Sequence, residues 1–358
     1  MIYNYKIYIF KKFSFNLAKV TLVFSAVILI MNLFEEMNFF KDNEQFILLP
    51  IYLTLLNVPS ILFEIFPFIF LISTLFFFIE VIEKDEINIF KIYGITNLKI
   101  IQILSLITFC LGFFILIFFY NISSNLKFFY FDLKNQYTKD DKYLAVVTGN
   151  GLWIRDEVGE FINYINAENL ERDYLNNVTI SQFNKNFEME KVIISRKVNI
   201  KNKNWILNNA IVNSQNQSLS FSNLEFFSNF DEERILSIFD NLTSLDLFKL
   251  ESLKRDYEML GYNTETINGY KHRLYSYPLY LTIMVCIGSI LMLKIKHNQS
   301  KIASITLGIM ISVVIYYINY FFNVIIETKD VPYMTSIWGP QIILSLIIIT
   351  NLIRINEK

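Results

Sequence analysis

The stretch VPSILFEIFPFIFLISTLFFFIEVI, Val58 to Ile82, decides the fold. An α-helix rises about 1.5 Å per residue, so about 20 apolar residues cross roughly 30 Å of hydrocarbon. This run is long enough and apolar enough to do so. Working outward, five further windows come close to the same condition, at roughly 14–34, 98–121, 274–295, 302–326 and 334–353. The chain of 358 residues is 53% hydrophobic and 16% aromatic, with a mean hydropathy of +0.38, too apolar for an ordinary soluble globule of this size. The sequence therefore predicts an integral membrane α-helical protein with six transmembrane helices.

The N-terminal MIYNYKIYIFKKF sets Lys6, Lys11 and Lys12 ahead of the first window, as a signal peptide would. The apolar run is long and lacks a small-residue cleavage site, so it reads as a retained span. Lys and Arg in the short connections set the orientation. Lys6, Lys11 and Lys12, then Lys84, Lys91 and Lys99, then Lys294, Lys296 and Lys301, then Arg354 and Lys358 all fall on one side. The opposite short loops hold Lys41 and Lys329 among Glu35, Glu36, Asp42, Glu44, Glu327 and Asp330. Both termini are expected in the cytoplasm and the large insert between the third and fourth spans outside it.

That insert reads as strands. In EKVIISRKVNIKNKNWILNN, Val192, Ile194, Val198 and Ile200 fall on alternate positions, and WIRDEVGEFINYI and NNVTISQFN share the same short, β-branched and aromatic character. Asn-rich breaks separate them as turns would. Short strands over about 120 residues suit a sandwich or jelly roll, in an order the residues do not give. In TSLDLFKLESLKRDYEMLGY, Leu245, Phe248, Leu253, Tyr257 and Leu260 recur at helical spacing, with Thr243 or Ser244 as N-cap and Gly261 past the end. This predicts an amphipathic helix on the membrane surface. The expected segments are 1–121 with three spans, 122–243 as the β domain, 244–270 as connecting helix and linker, and 271–358 with three spans.

Several chemistries are excluded. A formal net charge of −1 offers no field for nucleic acid, so no such partner is expected. Cys110 and Cys286 sit inside apolar runs, where a small buried role is the default. There is no G-x-x-x-x-G-K-[ST] loop for ATP. His272 and His297 flank the fourth span at opposite ends and cannot share a metal site or a triad. No catalytic or metal-ligating residue is assigned.

Between the second and third spans lies KDEINIFKIYGITNLK, Lys84 to Lys99. Three helical turns are too short to cross a membrane. Asp85 and Glu86 fall in the first turn, where the helix dipole favours negative charge. Ile87, Phe90 and Tyr93 are spaced towards one side, and Gly94 is placed to end the helix. From its residues alone this is equally an interfacial helix among lipid headgroups or a docking helix.

The run from Leu55 to Ile100, with Val58, Pro59, Pro67, Asp85, Glu86, Ile87, Ile89, Phe90 and Gly94, resembles the second span and following segment of the lipopolysaccharide-export permeases LptF and LptG. GLWIRDEVGEFINYI from Gly151, YKHRLYSYPLYLTIMV with Pro278, and VPYMTSIWGP with Pro332, Trp338 and Pro340 resemble LptG more than LptF. The likeness spans essentially the whole chain and rests on the order of the motifs. It implies a multi-pass inner-membrane protein with its β domain in the periplasm. The residues about 84–94 would then be a coupling helix on a separate LptB-like ATPase dimer, through Asp85, Glu86, Ile87, Phe90 and Gly94. The resemblance implies an LptF-like permease and an LptC/LptA-like bridge as further partners. It implies no cofactor on this chain, with ATP and Mg on the ATPase.

The implied substrate fits a spanning region rich in Phe and Ile. Each lipid methylene brought into water costs roughly 0.8 kcal/mol, so the acyl chains of lipopolysaccharide require an apolar cavity. In the family that cavity is lined mainly by the first, second and fifth spans, which nominates Phe66, Phe70, Phe77, Tyr316, Tyr320 and Phe321. Glu35 and Glu64 are polar candidates at its margin. A carboxylate at mid-membrane costs about 2.5–3.5 kcal/mol, so Glu64 is either a partly exposed side chain or a cavity contact. Many LptG-type chains carry a Lys near the outer end of the first span; Asn32 stands at the matching position here, so Lys41 or a basic residue of another subunit would have to supply that cation. A membrane-anchored scaffold, recruiting partners through the β domain without moving lipid, is the rival reading.

Overall fold

The computed structural model describes residues 4–41, 48–135, 152–171, 174–214, 217–232, 235, 241–259, 264–294, 301–328 and 331–356. Asp42, Glu44, Gly151, Leu260, Gly261, Lys296, His297, Lys329, Asp330 and Lys358, all used in reading the sequence, lie outside them. The chain divides into a helical unit, residues 1–130 and 265–358, and a second unit, residues 131–264.

In the helical unit the order is α1 (Asn4–Phe39), α2 (Leu48–Glu83), the short α3 (Glu86–Ile92), α4 (Asn97–Phe114), a π-helical turn (Ile115–Phe119) and α5 (Tyr120–Asn135). Six helices among the described residues are long and apolar enough to cross a membrane, the third being the continuous rod of α4, the π turn and α5. That rod continues as helix to Asn135, so the segment expected to open the β domain at 122 is helical. Apolar composition locates where a helix meets lipid and says nothing of where a polar continuation of it stops.

Three hydroxyl side chains of α2 are satisfied within the helix. Thr54, Ser73 and Thr74 donate their hydroxyls to the carbonyls of Pro50, Ile69 and Phe70, which removes the cost of placing them in hydrocarbon. Pro67 has no N–H to offer the carbonyl of Phe63. The Tyr277 hydroxyl supplies the missing donor at 2.6 Å, and the two rings stack with centroids 4.3 Å apart.

Tyr277 belongs to the fourth spanning helix, α7, which follows the second unit. After that unit come α7 (Glu265–Lys294), α8 (Lys301–Thr328) and α9 (Tyr333–Asn356). Helices α2 and α7 are the most enclosed, and small residues bring their neighbours close. A Cβ on Gly112 of α4 would lie 2.8 Å from Pro278 Cα, and one on Gly308 of α8 would lie 2.5 Å from Leu75 Cδ1. Lipid is as apolar as these side chains, so close packing of this kind rather than the hydrophobic effect holds the bundle together.

The second unit holds β1 (Leu152–Val158), β2 (Phe161–Glu171), β3 (Tyr174–Phe183), β4 (Met189–Asn199), β5 (Asn204–Ser214) and β6 (Gln217–Phe227). They form one antiparallel sheet in sequential order, each strand paired with the next. The sequence reading left the strand order open, and the crossing connections of a jelly roll are not among the described pairings. Trp205, Val178, Ile180, Leu207 and Ile165 lie in its core.

The alternation read in β4 holds for Val198 and Ile200, which are buried, but slips one residue earlier. Ile193 is buried while Ile194 is exposed. Between them the ladders are interrupted along one line: β4 pairs Ile194 with Ile211 and resumes at Lys197 with Asn208, and β3 skips Asn177. Asn177 and Asn209 have φ of 50° and 51°. In β4 itself the alternation breaks at Arg196 and Lys197, two consecutive exposed residues, beside these left-handed positions of the flanking strands. Ser195, buried at this crease, donates to the carbonyls of Lys197 and Asn208.

The sheet curls until β1 meets the chain beyond β6. Buried Asp156 accepts from the backbone N–H and side-chain amide of Asn229, at 3.1 and 2.8 Å. Trp205 Nε1 donates to the Phe230 carbonyl at 2.8 Å. Helix α6 (Leu247–Met259) completes the unit. Its N-cap is Asp246, which accepts from the N–H groups of Phe248 and Lys249, in place of Thr243 or Ser244. Its apolar side is not free for a membrane surface, because Leu250 and Leu253 are buried and Tyr257 packs on the sheet core. Burial pushes the Tyr257 hydroxyl above its ordinary value. Phe248, expected on that side, is exposed.

Candidate coupling site and lipid-facing surface

Helix α3 is built by its ends. Asp85 enters it in the left-handed region, φ 55°, and its carboxylate accepts from the Asn88 side chain at 2.6 Å. At the other end the Ile95 N–H donates to the Phe90 carbonyl at 2.8 Å and the Gly94 N–H to that of Lys91 at 3.0 Å. Gly94 has φ 73°, and Phe90 and Ile95 are both buried. These features define a Schellman motif, with the apolar contact that accompanies it. Gly94 is needed for its backbone conformation alone, since a Cβ there would meet nothing within 4 Å.

The same helix is fastened to α1. Glu86 accepts from Lys12 Nζ and from the Tyr8 hydroxyl, each at 2.6 Å, and the rings of Tyr8 and Phe90 meet edge to face at 6.4 Å. Phe90 is 8% exposed and points into the chain's own packing, while Ile87 is half-buried. The side that faces outward carries Ile89, Ile92 and Tyr93, exposed by 48%, 82% and 74%. Of the face drawn from spacing, Ile87, Phe90 and Tyr93, only Tyr93 is fully open. Spacing identifies a stripe but cannot tell which stripe the neighbouring helices cover.

The aromatic cavity candidates divide into two groups. Phe66, Phe70 and Phe77 are buried within the helical unit, Phe70 and Phe77 against Phe13 of α1 and Phe66 against Phe119. Tyr316, Tyr320 and Phe321 are more than half exposed on α8, and Tyr316 stacks with Tyr320. Tyr280 of α7 interacts electrostatically with Arg273 and with Tyr316, and takes a hydrogen bond to Asn319. Arg273 and Tyr316 are thus both within electrostatic reach of Tyr280, and Arg273 is a cation absent from the residues nominated by sequence.

Of the polar candidates, Glu35 is exposed and its neighbour Glu36 is fully buried, accepting from the Tyr130 hydroxyl at 2.7 Å. Asn32 is buried and accepts from the Asn57 amide at 3.5 Å, so that position faces α2. Lys41 is exposed. Glu64 is exposed and lies within electrostatic reach of Lys127 on α5. Lys127 fell in the segment assigned to the β domain, which is why the sequence showed Glu64 without a cation.

Six helices long and apolar enough to span a membrane, a β domain inserted after the third and a short connecting helix with an open apolar side define, among the described residues, a multi-pass α-helical membrane protein with an inserted β domain. The sequence model of the family described as lipopolysaccharide export system permease LptF/LptG matches residues 7–354. The chain belongs to that family, and the match covers LptF and LptG together. Comparison with the curated proteins found no match. The chain is thus a lipopolysaccharide-export permease subunit, a transporter component that works with other subunits of the Lpt complex.

Proposed function

We propose that this chain is the LptG-type half of the permease, paired with an LptF-like chain, driven by an LptB-like ATPase dimer and delivering lipopolysaccharide to an LptC/LptA-like bridge. The observation that carries the reading is the exposed trio Ile89, Ile92 and Tyr93 on a capped, anchored helix between the second and third spans. An open apolar side suits a protein groove. The absence of a phosphate-binding loop in the sequence fits energy drawn from another chain.

In this reading both termini and α3 are cytoplasmic, following the distribution of Lys and Arg, and the β domain is periplasmic. ATP and Mg are bound by the partner. The exposed aromatic side of α8, with Tyr316, Tyr320 and Phe321, faces acyl chains, and Arg273 meets headgroup phosphate. The Gly151 to Asp156 segment favours LptG over LptF. Asp156 itself holds the sheet closed and has no free carboxylate face for lipid.

The test is gentle affinity purification of the tagged chain from its native membrane, with mass spectrometry of retained proteins and lipids. A second six-span permease, an ABC ATPase and lipopolysaccharide are expected together. Recovery of β-domain partners alone, under conditions that preserve other membrane complexes, would sink the transport reading in favour of a scaffold.

A further inference from the structure

We propose that the Glu86 carboxylate is a latch that makes α3 and the Tyr8 end of α1 one mechanical body, so that a partner displacing α3 moves α1 with it. The inference rests on the docking reading of α3 given above. Glu86 and Phe90 lie one helical turn apart on α3, and Tyr8 and Lys12 one turn apart on α1, so the two pairs mesh at matching spacing. Both carboxylate oxygens are engaged, Oε1 by the Tyr8 hydroxyl and Oε2 by Lys12 Nζ. The ion pair is largely shielded, with side-chain exposures of 9% for Lys12 and 15% for Glu86. Lys12 Nζ also donates to the Tyr8 oxygen at 3.3 Å, which closes the triangle.

Among the described residues this is the ion pair that links α3 to another helix, since Asp85 spends its carboxylate on Asn88 within α3. A shielded pair resists separation because parting the charges strands each in a medium that solvates it poorly. Helix α1 has one open side, where Leu22, Val23, Val27, Ile30, Met31 and Phe34 are exposed along its middle, while its other side packs on α2 through Phe13 and Phe24. Glu86 and Lys12 are therefore positioning residues, acting on lipid through α1 and not by contact with it.

The experiment uses the assembled complex in proteoliposomes, measuring lipopolysaccharide released to an acceptor per ATP hydrolysed, with the ATPase bound per permease as a second readout. Lys12→Met and Glu86→Gln should keep the ATPase bound and hydrolysing while lowering lipid per ATP about tenfold. Lys12→Arg should keep the ratio, and the exchanged pair Lys12→Glu with Glu86→Lys should recover most of it, which a loss of folding would not allow. A ratio unchanged within about twofold in both single variants overturns the latch alone. Release of the ATPase by those variants also overturns it, because Glu86 would then act in docking. A wild-type chain that retains no ATPase ends the docking reading and the latch together.

Discussion

The Tyr277 hydroxyl of α7 donates to the Phe63 carbonyl of α2 at 2.6 Å, the carbonyl that Pro67 leaves without its helical partner. One aromatic residue thus repairs the backbone defect of a proline on an adjoining helix and stacks its ring on the residue it repairs. Tyr277→Phe keeps the ring and removes the donor. Leaving a buried carbonyl unsatisfied costs about 1–3 kcal/mol, so the variant should unfold at lower temperature in detergent. Pro67→Ala in the Tyr277→Phe background restores an N–H and should return much of the loss; a double variant no more stable than Tyr277→Phe would show that the hydroxyl does not serve this carbonyl.

Gly94→Ala tests the cap of α3. Space is not the obstacle, since nothing lies within 4 Å of the added Cβ, so the cost is that of a left-handed residue, about 1 kcal/mol. The variant should express and assemble, with faster proteolysis or hydrogen exchange confined to residues around α3. Protection equal to wild type there would mean that the Schellman geometry is not what holds the helix end.

Ile92→Asp and Phe90→Asp separate the two sides of α3. Ile92 is open, so the first variant should fold normally and lose most of the co-purifying ATPase. Phe90 is buried and meets the Tyr8 ring edge to face, so the second should lower thermal stability, by about 3 kcal/mol or more for a charge placed in that packing. Equal loss of ATPase by Phe90→Asp with unchanged melting would reverse the assignment of the two faces.

In the second unit, Asp156→Ala removes the carboxylate that accepts from the Asn229 N–H and amide. The expected loss is about 2 kcal/mol in stability of the full chain, read by chemical unfolding followed through tryptophan emission, with Trp205 as the buried reporter of that unit. An unshifted transition would mean that the contact between β1 and the chain after β6 does not hold the sheet curled.

Arg273→Gln tests the exposed cation within electrostatic reach of Tyr280. Lipopolysaccharide retained per purified permease should fall severalfold, and Lys127→Gln should affect stability instead, through Glu64. Unchanged lipid retention in Arg273→Gln removes this residue from phosphate recognition.

The sequence alone determined the spans, the β character of the insert and the short helix at 84–94, because each depends on local quantities: apolar length, alternation and end residues. It also carried the family resemblance, since that rests on the order of Pro, Gly and acidic positions along the chain. Which stripe of α3 is open was decided by Tyr8 and Lys12, residues more than seventy positions away that cover Phe90 and Glu86. The slip of alternation in β4 was likewise hidden, because it falls where the ladders to β3 and β5 are interrupted, beside left-handed Asn177 and Asn209 of those strands. Glu64 looked unpaired until the third span was seen to continue as helix past Lys127. In each case the local pattern named the group that needed a partner, and only the tertiary packing of distant segments, through burial and hydrogen-bond satisfaction, decided which partner it received.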